Sequence, residues 1–262
     1  MDTTVREIEK MLQAADEQEL AVLERALAAD TRKGVRKALD VARRRVEAQK
    51  VELKRLIGLY DYQNSLAQGQ GGGVIVGLDE VGRGPIAGPL AVGAVVLPDE
   101  PLIEGLDDSK KVAPEKREEI ASQIKQVARA WTVQFVEASE IDAIGISAAL
   151  RKAFSNAIKA IEDAGMPIGV VLIDGNPLHV DPREINVVKG DGKCASIAAA
   201  SIVAKVTRDS LMVQLDREYP GYGLAGNKGY GSASHMEAIR TLGLSPIHRK
   251  TFCTSAFQET LF

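Results

Sequence analysis

Val74-Ile75-Val76-Gly77-Leu78-Asp79-Glu80-Val81-Gly82-Arg83-Gly84-Pro85 reads as a buried strand that carries two adjacent carboxylates to its end and then breaks. Gly82 and Gly84 permit backbone angles and close approaches that a Cβ would forbid, and Pro85 withholds an amide donor. Between the two glycines stands Arg83, whose fork of donors suits phosphate. An acid pair followed by a glycine-lined cationic turn is what a site needs in order to hold a metal beside a nucleic acid backbone.

Size and composition set wider bounds. The 262 residues suffice for one large domain, or for a domain with an appendage. Hydrophobic residues at 45% and charged residues at 26% are ordinary for a soluble globular protein. No run of about 18 apolar residues occurs, so no helical membrane span is expected. The N-terminal segment is charged and helix-like, without the apolar centre of a secretion signal. Cys194 and Cys253 form no pattern, which points to a reducing cytoplasm and no disulfide framework. The net charge of −3 decides nothing about nucleic acid, because binding depends on local patches. The distribution is uneven. Residues 1–31 carry eight acidic and three basic side chains, whereas residues 32–55 carry ten Lys or Arg against Asp40, Glu47 and Glu52.

Thr4-x-x-Glu7 and Asp16-x-x-Glu19 are helix-start signatures in which each end satisfies the other's amide. Ile8, Met11, Leu12 and Ala15 follow at helical spacing, as do Val35, Leu39, Ala42 and Val46 in a third helix expected to run to about Tyr60. Residues 1–68 therefore read as a helical extension, and 69–73 as a glycine-rich linker. The basic third helix has two readings, a solvated or self-associating surface and a track for duplex phosphates. Beyond the linker, residues 74–80, 89–97, 128–138, 170–173 and 185–188 read as strands, and 114–127, 141–164 and 194–219 as helices. The last helix opens with Ala195, Ala198, Ala199, Ala200 and Ala204, small enough to let its backbone approach a sheet. His248-Arg249-Lys250 leads into a short tail. Residues 74–262 thus read as an α/β layered domain with a mixed sheet and a helical C-terminal part.

Asp174 ends the apolar run 170–173 and is followed by Gly175; Asp191 lies in Lys189-Gly190-Asp191-Gly192-Lys193, just before the long helix. With Asp79 and Glu80 these make carboxylates at strand or helix ends bordered by glycine, as expected if they meet at one edge of the sheet. Oxygen donors without clustered Cys or His suit Mg2+ or Mn2+ rather than zinc. Two such ions about 3.5–4 Å apart can clamp the attacking and leaving oxygens of a phosphodiester displacement. Strand neighbours point to opposite faces, so Asp79 and Glu80 face one ion only if the chain turns there, and the Gly82-Arg83-Gly84 turn offers that chance.

Asp79-Glu80-Val81-Gly82-Arg83-Gly84-Pro85 closely resembles the opening motif of the type 2 ribonucleases H, bacterial ribonuclease HII in particular. Further blocks agree in order: Asp108-Ser109-Lys110-Lys111, Ile173-Asp174-Gly175, Lys189-Gly190-Asp191, the run from Ala195 to Asp209, Lys228-Gly229-Tyr230-Gly231 and Pro246-Ile247-His248-Arg249-Lys250. The resemblance covers about residues 74–252, and the helical extension is similar to that of some Gram-positive members. It implies a ribonuclease H-like fold with a five-stranded mixed sheet flanked by helices. It also implies cleavage of RNA in RNA–DNA hybrids and 5′ to single ribonucleotides embedded in duplex DNA. Asp79, Glu80, Asp174 and Asp191 match the family's catalytic, metal-holding carboxylates. Gly82, Arg83 and Gly84 match the turn that reads the ribose 2′-hydroxyl, and Tyr230 the ring that stacks on the next sugar. The divalent cation is expected to be Mn2+ or Mg2+, the partners hybrid or ribonucleotide-containing duplexes, and the chain a monomer. Ribonuclease HIII resembles this core but typically lacks the arginine of the turn and carries a sheet-containing N-terminal domain.

Ser109, Lys110 and Lys111 read as a phosphate contact against the alternative of a polar turn. Lys193 opposes the dipole of the helix it precedes, which favours a functional placement. His179, His235 and His248 read as structural, and Asp209 beside Arg208 as an ion pair or core hydrogen bond. Two other functions fit the same residues: a hybrid-binding protein without catalysis, and another ribonuclease H-like nuclease such as a junction resolvase.

Overall fold

The computed structural model describes residues 3–253; the expected tail lies outside them. The chain divides into two compact units, residues 1–57 and 58–262. In the first, helices α1 (Val5–Ala14) and α2 (Glu17–Ala26) both open with the reciprocal capping bonds expected of them, Thr4 with Glu7 and Asp16 with Glu19. The third helix, α3 (Lys33–Ala67), runs seven residues past the expected Tyr60 and crosses into the second unit. Ile8, Leu12, Ala15, Leu20, Val35, Leu39, Ala42 and Val46 make the core of the first unit. Its basic helix faces its own acids: Arg43 pairs with Glu24, Lys50 with Glu17, and Arg45 donates to the carbonyls of Leu12 and Ala15. Much of the local positive charge is thus balanced inside the unit, which weighs against the phosphate track.

The second unit is built on strands β1 (Val74–Val81), β2 (Leu90–Val96), β3 (Ala130–Val136), β4 (Ile168–Asp174) and β5 (Glu184–Val187), in the order β3-β2-β1-β4-β5. β1 is antiparallel to β2 and parallel to β4, so the sheet is mixed as expected. Helix α4 (Pro114–Val127) has the expected bounds, with proline in its first turn. The helix expected over 141–164 is instead two, α5 (Ala138–Ile144) and α6 (Ile146–Asp163). Gly145 between them has φ 78°, a left-handed value that ends one helix and starts the next.

α6 packs on one face of the sheet, where Val76, Leu78 and Val92 meet Leu150, Phe154 and Ile158. The other face receives α7 (Ala195–Glu218), nearly all small or apolar in its first half. A Cβ built on Gly77 would lie 2.2 Å from the carbonyl carbon of Ser196, and one on Gly93 2.5 Å from the oxygen of Ala200. The helix backbone therefore rests directly on two glycines. Helices α8 (Leu224–Asn227) and α9 (Ala233–Leu242) follow, the latter capped by Ser232.

Candidate active site

Parity along the strands positions the acids. On β1 the even residues Val76 and Leu78 face α6, so Asp79 faces α7 and Glu80 faces α6. Pairing with β2 stays regular through Asp79 opposite Gly93, Glu80 opposite Val92 and Val81 opposite Ala91. The turn that would have put both carboxylates on one face is not made, because the ladder holds the strand straight to Val81. On parallel β4, Leu78 pairs with Ile173, which sets Asp174 beside Asp79 on the α7 face. Asp191 arrives from the single 3₁₀ turn Gly190–Gly192 that precedes α7.

Carboxylate oxygens of Asp79, Asp174 and Asp191 lie within 4.8 Å of one another. Glu80 is outside this group and lines a polar cleft on the other side with Arg83, Ser147, Arg151, Asp174 and Asn176. Asp174, the last residue of its strand, belongs to both. Gly190 donates its amide to Asp174 Oδ1 at 2.6 Å, and Glu80 donates its own to Asp79 Oδ1 at 2.8 Å.

Asp79 is only 6% exposed. Burial, reinforced by Glu80, Asp174 and Asp191 and opposed by a hydrogen bond from Ser201, pushes its carboxyl up to about 8. Burial likewise raises Glu80, against Arg83, and Asp191, whose shift Asp174 and Asp108 reinforce. Three crowded carboxylates with no His or Cys among them fit a hard dication, whose charge would relieve their repulsion.

Cations border the cluster. Lys110 Nζ lies 3.7 Å from Asp191 Oδ2, and Arg83 Nη1 3.8 Å from Glu80 Oε1. Burial opposes the charge on Lys110, but Asp108, Asp191, Asp79 and Asp174 hold its ammonium above the ordinary value. Lys111 Nζ reaches Asp107 at 3.4 Å and would lie 3.7 Å from a Cβ on Gly192. The Lys110–Lys111 loop is anchored from below by Ser109, whose hydroxyl meets that of Ser201 on α7 at 2.9 Å. Gly82, at φ 85°, has Arg208 Nε where its Cβ would be, 2.2 Å away, so only glycine fits there. Gly84 faces Tyr230: a Cβ would stand 3.8 Å from the ring, which is 50% exposed.

The catalytic and substrate-binding candidates read from the sequence, Asp79, Glu80, Gly82, Arg83, Gly84, Lys110, Lys111, Asp174, Asp191 and Tyr230, lie in this neighbourhood, with Glu80 on the opposite face from the three aspartates. Lys193 Nζ donates to the Val188 carbonyl at 2.8 Å, which engages one of its three donors. Asp209 forms its ion pair with Lys205, at 2.8 Å, rather than with Arg208. Arg208 is buried and donates to the carbonyls of Pro89 (2.9 Å) and Lys228 (3.0 Å). Sequence reasoning passed over Ser201, although it falls one turn after Ile197 on the sheet-facing side of α7, where a hydroxyl among alanines is a signal.

A family model described as ribonuclease HII matches residues 76–255, and one described as the ribonuclease HII N-terminal domain matches residues 4–67. Among solved structures, the chain is similar to RNase HII of Archaeoglobus fulgidus in its complex with PCNA. Identity is 27% over 68% of this chain and 94% of that one, with a TM-score of 0.58. Ribonuclease H2 of Pyrococcus horikoshii OT3 is 28% identical over 68% of this chain and 92% of its own, with a TM-score of 0.56. Bst-RNase HIII in complex with Mn2+, at 24% identity over 68% and 65% and a TM-score of 0.52, shares the fold. Because the catalytic-domain match takes in more than two thirds of its residues, this chain belongs to the ribonuclease HII family and is a ribonuclease H, a hydrolase of RNA–DNA hybrids.

Proposed function

We propose that the enzyme cuts 5′ to ribonucleotides, in RNA–DNA hybrids and at single ribonucleotides embedded in duplex DNA, with two divalent ions, Mn2+ or Mg2+. One observation carries this reading: Asp79, Asp174 and Asp191 converge within 4.8 Å beside a glycine turn that faces Tyr230. Asp79, Asp174 and Asp191 would hold metal, and Glu80 and Asp174, which share the neighbouring cleft, would complete the set of oxygen donors. Bound there, the ions would supply water activation and charge stabilisation at the leaving 3′-oxygen. Gly82, Arg83 and Gly84 read the 2′-hydroxyl, the group that tells RNA from DNA. Backbone groups reach that hydroxyl only where no side chain intervenes. Lys110 and Lys111 hold phosphates next to the scissile bond. Tyr230 stacks on the sugar that follows, and a flat ring favours one lacking the hydroxyl.

A duplex bearing one ribonucleotide, incubated with Mg2+ or Mn2+, tests the reading. The expected product is a nick immediately 5′ to that nucleotide, leaving 3′-hydroxyl and 5′-phosphate ends. Asp79→Asn should abolish the nick while the protein still binds hybrid. Binding without cutting by the wild type, or a duplex left intact while other structured DNA is cut, would refute it.

A further inference from the structure

Arg249 is 0% exposed. Its guanidinium donates to three backbone carbonyls: Nη2 to Gly82 at 2.6 Å, Nη1 to Arg83 at 3.0 Å and Nε to Gly88 at 3.0 Å. A buried guanidinium is costly unless its donors are matched, and these carbonyls match it. In a trans peptide the C=O and the following N–H point in opposite directions. With the Gly82 and Arg83 carbonyls drawn to Arg249, the amides of Arg83 and Gly84 are turned away from it.

The preceding residue does the same for the opposing element. Ser245 donates its amide to His248 Nδ1 at 3.0 Å, so that nitrogen carries no proton. His248 then holds its proton on Nε2, 3.1 Å from His235 Nε2. That leaves the His235 proton on Nδ1, 2.9 Å from the Tyr230 carbonyl, which only accepts. One chain of hydrogen bonds, with each tautomer fixed by a backbone group, therefore runs from Ser245 to Tyr230. Burial lowers both histidines, and His235 beside it lowers His248 further, to about 4, which favours the neutral rings. The segment that carries His248 and Arg249 is tied down in turn. Arg249 donates its amide to Ile86, Gly88 donates to Ile247, and Asp142 on α5 accepts from the amides of Lys250 and Thr251.

We propose that His248 and Arg249 are positioning residues for ribonucleotide recognition, Arg249 fixing the Gly82-Arg83-Gly84 turn and His248, through His235, fixing Tyr230. Two neighbours in the chain thus set the spacing between the turn and the ring that faces it. This rests on the substrate roles given above to the turn and to Tyr230.

The readout is the ratio of cleavage rates on a single-ribonucleotide duplex and on a continuous RNA–DNA hybrid, in which the sugar meeting Tyr230 carries a 2′-hydroxyl. A fall in folded fraction slows both equally and leaves the ratio unchanged. Arg249→Lys and Asp142→Asn, the second on the half-exposed anchor and mild for folding, should each lower the ratio, Arg249→Lys about tenfold. An unchanged ratio in both, with wild-type unfolding temperatures, overturns the proposal. In the unsubstituted protein, 15N shifts should show His248 as the Nε2–H and His235 as the Nδ1–H tautomer at pH 7. The reverse tautomers, or a charged ring, overturn it without any mutation. If Tyr230→Ala itself leaves the ratio unmoved, the fault lies in the role given to Tyr230 and the positioning claim falls with it.

Discussion

At the scale of single residues, the buried carboxylate of Asp79 links the proposed metal site to stability. Its folded-state value of about 8 stands far above the unfolded value of 3.8. A group raised in this way gives its full stability below the unfolded value and loses it as pH rises through the folded one. Metal-free protein should therefore weaken between about pH 4 and pH 8, and Asp79→Asn should remove the share of that loss due to Asp79, leaving those of Glu80 and Asp191. We expect the variant, in chelator at pH 9, to be more stable than the wild type by on the order of 3 kcal/mol. Added Mn2+ should raise the unfolding temperature of the wild type and not of the variant. Parallel stability curves for the two proteins from pH 5 to pH 9 would show that the charge on Asp79 is compensated by something else. The four acids were legible in the sequence because each ends an apolar run or borders glycine. Their split between two faces was foreseeable from parity alone. The role of Arg249 was not, since its partners are carbonyls 161 to 167 residues away and a carbonyl leaves no mark in a sequence.

Among the elements, α7 is the one that holds the site together. It carries Ser201 beneath Asp79, begins just after Asp191, and lies on the glycines of β1 and β2. Gly93 pairs with Asp79 across the sheet, so a methyl group there pushes Ala200 away from the strand pair that carries Asp79. Gly93→Ala should cost about 3 kcal/mol, the upper part of the range for overpacking, and should slow cleavage as well. Gly226→Ala is the control, because a Cβ there meets nothing within 4 Å and the helix gains from losing a glycine. Equal unfolding temperatures for the two variants would mean that the helix yields freely. The alanine-rich opening of α7 made its close approach readable from sequence, and Pro114 marked the start of α4. Gly145 was passed over because one glycine within a helical pattern is usually tolerated, whereas here its φ of 78° breaks the run. The C-terminal part was expected to be helical, but the bounds of α9, capped by Ser232 and stopped at Gly243, were not legible, since ten residues between glycine-rich loops give little periodicity.

For the molecule as a whole, the glycine stretch is not where the compact units divide. The division falls at Ile57/Gly58, inside α3, and the last ten residues of that helix belong with the catalytic unit. Gln63 Oε1 accepts the amide of Ser196 at 2.9 Å, capping an α7 whose own N-cap, Cys194, offers no side-chain bond. Leu66 and Ala67 pack on Val170, Leu172, Val187 and Ile197. The glycine at 73 serves contact as much as freedom: a Cβ on Gly73 would lie 2.4 Å from the Pro167 carbonyl, and the facing Gly169 makes room for the Gly71 carbonyl, 2.7 Å from where its own Cβ would stand. Composition showed a change of pattern after residue 68, but it could not show that a cap for one helix is supplied from 133 residues upstream. A chain starting at Gly58 should keep the stability of the catalytic unit. One starting at Gly69 should lose about 2–3 kcal/mol, from a missing cap and the uncovered Leu66 and Ala67. For a unit of this size that is a fall of roughly 5–10 °C in unfolding temperature. Gln63→Ala in the full chain isolates the share due to the cap. Because the α7 start follows Asp191 directly, the shorter protein should also cleave more slowly at temperatures where it remains folded. Identical melting and cleavage of the two truncated chains would place the functional boundary at the glycines after all.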